Sequence, residues 1–179
     1  MVWQCNSKFK DKTRCKTPHL TEDEVKGAFI RLVNKLSTDR EFYVTELTAI
    51  KDRLGETTAL EKERRILDEQ LGIDANAVND LIAQNARVAQ NQTEYNERYN
   101  ALVSRYEETE CRRDEVADRI NQIMVRHRKL ERFIESVKDM PELFTEFDES
   151  LWAGLVDSIT VYSRDRIVFR LTCGMEMES

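Results

Sequence analysis

The fold is decided by residues 78–137, which read VNDLIAQNARVAQNQTEYNERYNALVSRYEETECRRDEVADRINQIMVRHRKLERFIESV. Steps that alternate between three and four residues, from Val78 to Val137, reach eighteen positions, and thirteen of these are Val, Leu, Ile or Tyr. Such an apolar repeat between charged flanks predicts a coiled-coil seam. At a rise of ~1.5 Å per residue, a helix of sixty residues would span about 90 Å. The stretch therefore predicts an elongated arm rather than part of a compact globule.

The composition agrees with long solvated helices. Charged residues make up 35% of the 179 residues, and the chain has only five glycines and two prolines. No run approaches eighteen apolar residues and the first residues form no apolar signal, so we expect a cytoplasmic protein with no membrane partner. No arrangement of residues typical of a catalytic centre is recognisable. We therefore expect neither an enzyme activity nor a small-molecule substrate.

The predicted arm occupies residues 21–139. Thr21 and Glu24 have the spacing of a capping box, which predicts a helix start, and Gly55 predicts a bend or break. Gly72 as a helix C-terminal residue, and Asp74 or Asn76 as an N-cap, place the tip of the arm near 72–78. A tip or kink near residues 91–92 is the alternative. Periodicity leaves open whether the arm folds back on itself as a hairpin or pairs with a second chain.

Residues 140–179 have a different pattern. Met140–Pro141 ends the arm, and Asp148 is a suitable N-cap for a short amphipathic helix. Alternating residues in Ser158–Ser163 and Arg166–Thr172 then predict a β-hairpin. We interpret this segment as the apolar body on which the N-terminal residues pack. The predicted fold class is mainly α, with a long antiparallel coiled-coil arm inserted in a small α+β domain.

Residues 1–20 predict two short strands around a polar connection, and they are basic. Their net charge is +4, whereas the rest of the chain carries −10. Clustered Lys and Arg side chains suit phosphate oxygens, so this segment is a candidate DNA-binding surface. Cys5 and Cys15 are candidate zinc ligands of an incomplete site, because zinc requires four ligands and His19 would supply only a third. The candidate DNA-binding residues are Lys8, Lys10, Lys12, Arg14 and Lys16.

Two stretches, together with the opening Trp3–Cys5, resemble the C-terminal end of large serine recombinases, the integrases and transposases of phages and mobile elements. The stretches are 147–174, FDESLWAGLVDSITVYSRDRIVFRLTCG, and 95–107, YNERYNALVSRYE. The resemblance covers essentially the whole chain. It implies that 1–20 is part of a zinc ribbon in which Cys5 and Cys15 form the second cysteine pair. The first pair and the catalytic serine domain would precede Met1.

The resemblance also implies partners and a role. The ribbon domain would bind attachment-site DNA, and the arm would make contacts between subunits during synapsis. This fragment would not cleave DNA and would hold no cofactor of its own, whereas the full-length protein would bind zinc. The alternative function is a generic coiled-coil scaffold or oligomerisation protein unrelated to DNA.

Overall fold

The computed structural model describes residues 2–3, 17–88 and 90–179, with only the backbone of residues 2–3. Helices dominate these residues, and the strands are short. The helices are α1 (Glu22–Thr38), α2 (Arg40–Leu54), α3 (Thr58–Arg87), α4 (Gln92–Lys138) and α5 (Glu149–Leu155). The strands are β1 (Val2–Trp3), β2 (Leu20–Thr21), β3 (Val156–Val161), β4 (Ile167–Leu171) and β5 (Glu176–Glu178). The predicted fold class, mainly α with a small α+β part, is confirmed.

The chain forms two compact units. Unit 1 combines Met1–Arg53 with Arg126–Ser179, so it contains both ends of the sequence. Unit 2 consists of Leu54–Val125, which is inserted between those two segments. Unit 2 is shorter than the arm predicted over 21–139. The difference arises because apolar residues at both ends of the predicted arm are buried in unit 1.

Unit 1 has an apolar core to which helices and the sheet both contribute. Phe29 of α1 lies at its centre, with its ring centroid 5.1 Å from that of Trp152 and 5.6 Å from that of Phe147. Trp152 also meets Phe169 of β4 edge to face at 5.9 Å. Other buried members come from α1, from the last turns of α4, from α5 and from the sheet. They are Val25, Leu32, Val33, Leu36, Leu130, Phe133, Ile134, Val137, Leu155, Ile167 and Leu171.

Three helix ends in unit 1 follow local sequence chemistry, as predicted. Thr21 accepts a hydrogen bond from the Glu24 backbone N–H, and the Glu24 carboxylate accepts one from the Thr21 backbone N–H at 2.7 Å. Asp148 caps α5 by accepting a hydrogen bond from the Leu151 N–H at 2.9 Å. The long helix α4 ends at Lys138, just before Met140–Pro141. Each of these three predictions is confirmed.

The sheet of unit 1 has the antiparallel order β3–β4–β5. The predicted hairpin is present, with Ile159 opposite Phe169 and Val161 opposite Ile167. The third strand was not predicted. It follows a turn at Gly174, whose φ of +90° favours glycine, and it places Met177 opposite Phe169. The backbone of β1 pairs with β2, and the strand predicted around Thr13–Cys15 lies outside the described residues.

Unit 2 contains α3 and the first part of α4. The expected break at Gly55 is confirmed, since α2 ends at Leu54 and α3 begins at Thr58. The tip predicted near 72–78 is wrong, because these residues lie inside the continuous helix α3. Gly72 is exposed in the middle of that helix, where a glycine costs only about 1 kcal/mol. The helices are instead interrupted between Arg87 and Gln92, at the alternative position.

Candidate functional site

The residues predicted to form the functional site lie outside the described residues. This applies to the candidate zinc ligands Cys5 and Cys15, and to every member of the predicted DNA-binding cluster, namely Lys8, Lys10, Lys12, Arg14 and Lys16. His19 is described and is exposed. Within residues 17–88 and 90–179, no three His, Cys, Asp or Glu side chains are grouped for metal binding. The zinc site and the basic surface at 8–16 therefore stay predictions.

The most unusual side chain of unit 2 is Asp74, which is fully buried. It lies on the α3 seam between Leu71 and Leu81, which are also buried. Gln70 donates a hydrogen bond to its Oδ1 at 2.9 Å, and the guanidinium of Arg105 on α4 donates to the same oxygen. Its second oxygen, Oδ2, accepts no hydrogen bond from the described residues. A buried carboxylate is costly unless it is paired, so Asp74 requires Arg105 beside it.

Two further ion pairs join the same helices. Arg112 donates to Glu63 at 2.9 Å, and Arg113 lies 3.8 Å from Asp68. Glu63 and Asp68 therefore pair with Arg112 and Arg113, whereas Asp74, which is later in α3, pairs with Arg105, which is earlier in α4. Such matching requires antiparallel helices, so unit 2 is an intramolecular helical hairpin. Arg113 occupies a position of the 3-4 repeat, so its contact with Asp68 lies on the seam between the two helices.

Unit 2 exposes apolar side chains on a flank of α3. Ile66 is 53% exposed and Ile73 is 60% exposed, and they are one heptad apart on the same face. Ile66 also borders an open groove of about 350 Å³, which is lined by Ala59, Lys62, Glu63, Leu67 and Arg112. Ala59, Ile66 and Leu67 give this groove an apolar lining, and contiguous exposed apolar surface marks protein-contact sites. We call Ile66 and Ile73 the isoleucine flank.

In unit 1, polar side chains at and after the end of α1 hold the segment that follows α4. The side-chain amide of Asn34 donates to the Phe144 carbonyl at 3.0 Å, and the Phe144 N–H donates to Asn34 Oδ1 at 2.7 Å. Ser37 Oγ donates to the Pro141 carbonyl at 2.6 Å. The Arg40 guanidinium donates to the Met140 carbonyl and, at 3.3 Å, to the Lys138 carbonyl. These contacts satisfy backbone groups at the end of a long helix.

Neither the burial of Asp74 nor the isoleucine flank was predicted from the sequence. The 3-4 spacing from Val78 continues upstream through Asp74, Leu71 and Leu67, and following it would have placed Asp74 on the seam rather than at a helix start. The partner of Asp74 is 31 residues away, so no local motif reveals the pair. Ile66 and Ile73 fit the same heptad period on a neighbouring face. A search for a second apolar period could therefore have found them.

Cys173 of unit 1 is partly enclosed, and its burial raises the pKa of the thiol. A raised pKa disfavours the thiolate, which is the reactive form. Cys111 of unit 2 is exposed on α4.

No family model, curated protein or solved structure matches this chain. Among the described residues, no helix is both long enough and apolar enough to cross a membrane.

Proposed function

We propose that this chain is a non-catalytic C-terminal region of a large serine recombinase. In this proposal, the α+β unit with its N-terminal ribbon contributes to attachment-site DNA binding. The helical hairpin makes contacts between subunits that hold two DNA sites together. The chain itself does not cleave DNA, and the catalytic serine belongs to another domain of the same protein.

The observation that carries the proposal is the insertion of unit 2 into unit 1. A small α+β body built from both ends of the sequence, interrupted by a helical hairpin of 54–125, is the organisation that the resemblance implies. The segment with the most specific resemblance, 151–162, forms the end of α5 together with β3 in that body. The alternative, a generic coiled-coil scaffold, does not explain why an α+β body is assembled from two distant segments of the chain.

The isoleucine flank supports self-association as the role of the hairpin. A twofold axis near residues 69–70 of two antiparallel copies would bring Ile66 of one chain against Ile73 of the other. The same arrangement places Lys62 within about one helical turn of Asp80 of the second copy. Lys62 precedes the isoleucine flank and Asp80 follows it, and a basic residue at one end with an acidic residue at the other favours an antiparallel copy of the same helix.

Light scattering over a range of concentrations, on reduced protein, tests the association. We expect a concentration-dependent dimer of the 21.1 kDa chain, either alone or with duplex DNA. The double variant I66E/I73E should weaken the dimer at least tenfold, because each lost isoleucine contact is worth about 1.5–3 kcal/mol when buried. The matched control I82E changes an isoleucine that is 44% exposed elsewhere on α3 and should leave the dimer intact.

The assignment of the chain to a serine recombinase is tested separately from the association. The reading frame before the codon for Met1 should encode a C-x₂-C pair and a serine recombinase catalytic domain. A protein that includes this region should bind zinc and duplex DNA, with an affinity that falls as salt rises. A dimer with no upstream cysteine pair and no affinity for DNA would support the scaffold alternative. A chain that stays monomeric with and without DNA contradicts the role proposed for the hairpin.

A further inference from the structure

A second basic segment lies within the described residues, on the part of α4 that belongs to unit 1. Residues 126–132 read RHRKLER and carry a net charge of +3, so the rest of the chain carries −9. Arg126, Lys129 and Arg132 recur every three residues along the helix and are all exposed. Side chains three residues apart are neighbours on a helix surface. We call these three residues the basic ridge.

The fold fixes the position of the basic ridge on the surface of unit 1. Leu130, Phe133 and Ile134 of the same helix are 4% exposed or less and face the core. Arg126, Lys129 and Arg132 lie outside this core and are exposed to solvent. The ridge therefore lies on a rigid element, and its charges have a defined spacing of about 4.5 Å along the helix axis.

The cations of the basic ridge are available for a partner. Arg126, Lys129 and Arg132 form no ion pair with any of the described residues, although acidic residues outnumber basic ones in the chain. In unit 2, by contrast, Arg105, Arg112 and Arg113 each contact a carboxylate. Three neighbouring solvated cations create a local positive potential on this acidic protein, and that potential attracts an external anion.

The residues around the basic ridge favour an extended polyanion over a small anion. Lys129 and Arg132 are among the residues that line an open cleft of about 630 Å³ in unit 1. Three carboxylates, Glu135, Asp139 and Asp157, also line this cleft and would repel a small phosphate that entered it. An extended polyanion can instead run along the exposed surface of the helix at 126–132 without entering the cleft. The ridge is about 9 Å long, which matches about three phosphates of one DNA strand at ~3.4 Å of rise each.

We propose that the basic ridge binds the phosphate backbone of double-stranded DNA, as a second contact surface separate from the predicted cluster at 8–16. The contact positions the α+β unit on the duplex without reading its sequence. The choice of DNA as the polyanion rests on the proposed function, whereas the binding surface rests on residues 126–132 alone.

Fluorescence anisotropy with a labelled 30-base-pair duplex of arbitrary sequence, between 50 and 200 mM salt, tests the proposal on the full chain. The variant R126Q/K129Q/R132Q should lower the slope of log affinity against log salt by about 2.7, since each phosphate contact contributes ~0.9. The control R64Q/R98Q/R119Q removes the same charge from three exposed arginines of unit 2 that form no ion pair with described residues. It should leave the slope within one unit of the unchanged chain.

Equal slopes for the two triple variants would overturn the proposal, as would the absence of DNA binding by the unchanged chain at 50 mM salt. Circular dichroism spectra that match the unchanged chain establish that both variants fold. Binding to vesicles of anionic phospholipid that exceeds DNA binding and depends on the same three residues would also overturn it. The dimer measured by light scattering is independent of this readout, so failure of the basic ridge and failure of the subunit-contact role are distinguishable.

Discussion

Arg105 of α4 donates a hydrogen bond to the buried carboxylate of Asp74 on α3, and this contact joins the two helices of the hairpin near the middle of their seam. Asp74 is fully buried, whereas the Arg105 side chain is 52% exposed. The two partners therefore differ in what the loss of the other would cost them. Without Asp74, water can solvate the exposed guanidinium of Arg105. Without Arg105, the buried carboxylate of Asp74 has no cation to offset the cost of its burial. The pair contributes more to the choice of register than to net stability.

Replacing Arg105 with Met is expected to destabilise the hairpin strongly. The substitution keeps the apolar stem but leaves a buried carboxylate without its cation, which typically costs 3–5 kcal/mol. Urea unfolding followed by circular dichroism measures the loss. The variant D74L removes the buried charge and should be as stable as the unchanged chain or more stable by about 1–4 kcal/mol.

The double variant D74L/R105M completes this comparison. If the cost of R105M comes from the unpaired carboxylate, the double variant should recover the stability of D74L. A double variant that is as unstable as R105M would contradict this explanation and assign the loss to packing of the arginine stem. The exposed Arg98 provides a control, because R98M removes an arginine without a described ion pair and should change stability little.

Local sequence signals predicted helix ends and strands correctly, whereas contacts between distant residues stayed hidden. Thr21 and Asp148 cap helices through backbone groups three residues away, so the sequence contains the whole interaction. The tip of the arm was misplaced because Gly72 and Asp74 resemble a helix boundary. The burial of Asp74 on an antiparallel seam overrides that local preference, and it depends on Arg105, 31 residues later.

The strand β5 and the candidate site are two further features that the sequence alone did not predict in full. The three residues Glu176–Glu178 contain one apolar side chain, Met177, and pair only because β4 presents an open edge. No period is measurable in so short a segment. The basic ridge was readable as a charge run, but its exposure depends on which side of α4 the core covers. The predicted ribbon ligands, Cys5 and Cys15, lie outside the described residues, and the zinc site stays a prediction.

Asn34 is expected to be essential for the attachment of the segment after α4 in unit 1. The variant N34A removes both hydrogen bonds to Phe144 and leaves partly buried backbone groups unpaired, which costs about 1–3 kcal/mol. Hydrogen exchange of the Phe144 amide should accelerate more than the exchange of amides in the middle of α3. N100A, at an exposed position of α4, is the control and should change neither quantity. Unchanged protection of Phe144 in N34A would contradict the role of these bonds.

Phe29 is expected to dominate the core of unit 1. The variant F29A removes a ring that is 1% exposed and contacts Phe147, Trp152 and Phe169, and such a substitution costs about 3–5 kcal/mol. The variant F42A removes a ring that is 64% exposed and should cost less than about 1 kcal/mol. Thermal unfolding by circular dichroism gives both values. Similar losses for the two variants would contradict the assignment of Phe29 to the centre of this core.

The capping box at the start of α1 makes stability depend on pH. Hydrogen bonds from the Thr21 backbone and side chain, with a smaller contribution from the charge of Arg164, lower the pKa of Glu24 below its ordinary value of 4.5. The folded state therefore binds the proton of Glu24 less readily than the unfolded state. Its stabilising contribution is complete above pH 4.5 and is lost as the pH falls through the lowered pKa of the folded state.

The variant E24A should therefore unfold at a lower temperature than the unchanged chain at pH 7, and the difference should shrink as the pH falls below 4.5. Thermal unfolding at several pH values between 3 and 7 gives this difference directly. E46A is the matched control, because it removes an exposed glutamate from the interior of α2 without removing a helix cap, and it should change the unfolding temperature at pH 7 little. A difference between E24A and the unchanged chain that stays constant down to pH 3 would show that the ionised carboxylate does not stabilise this helix start.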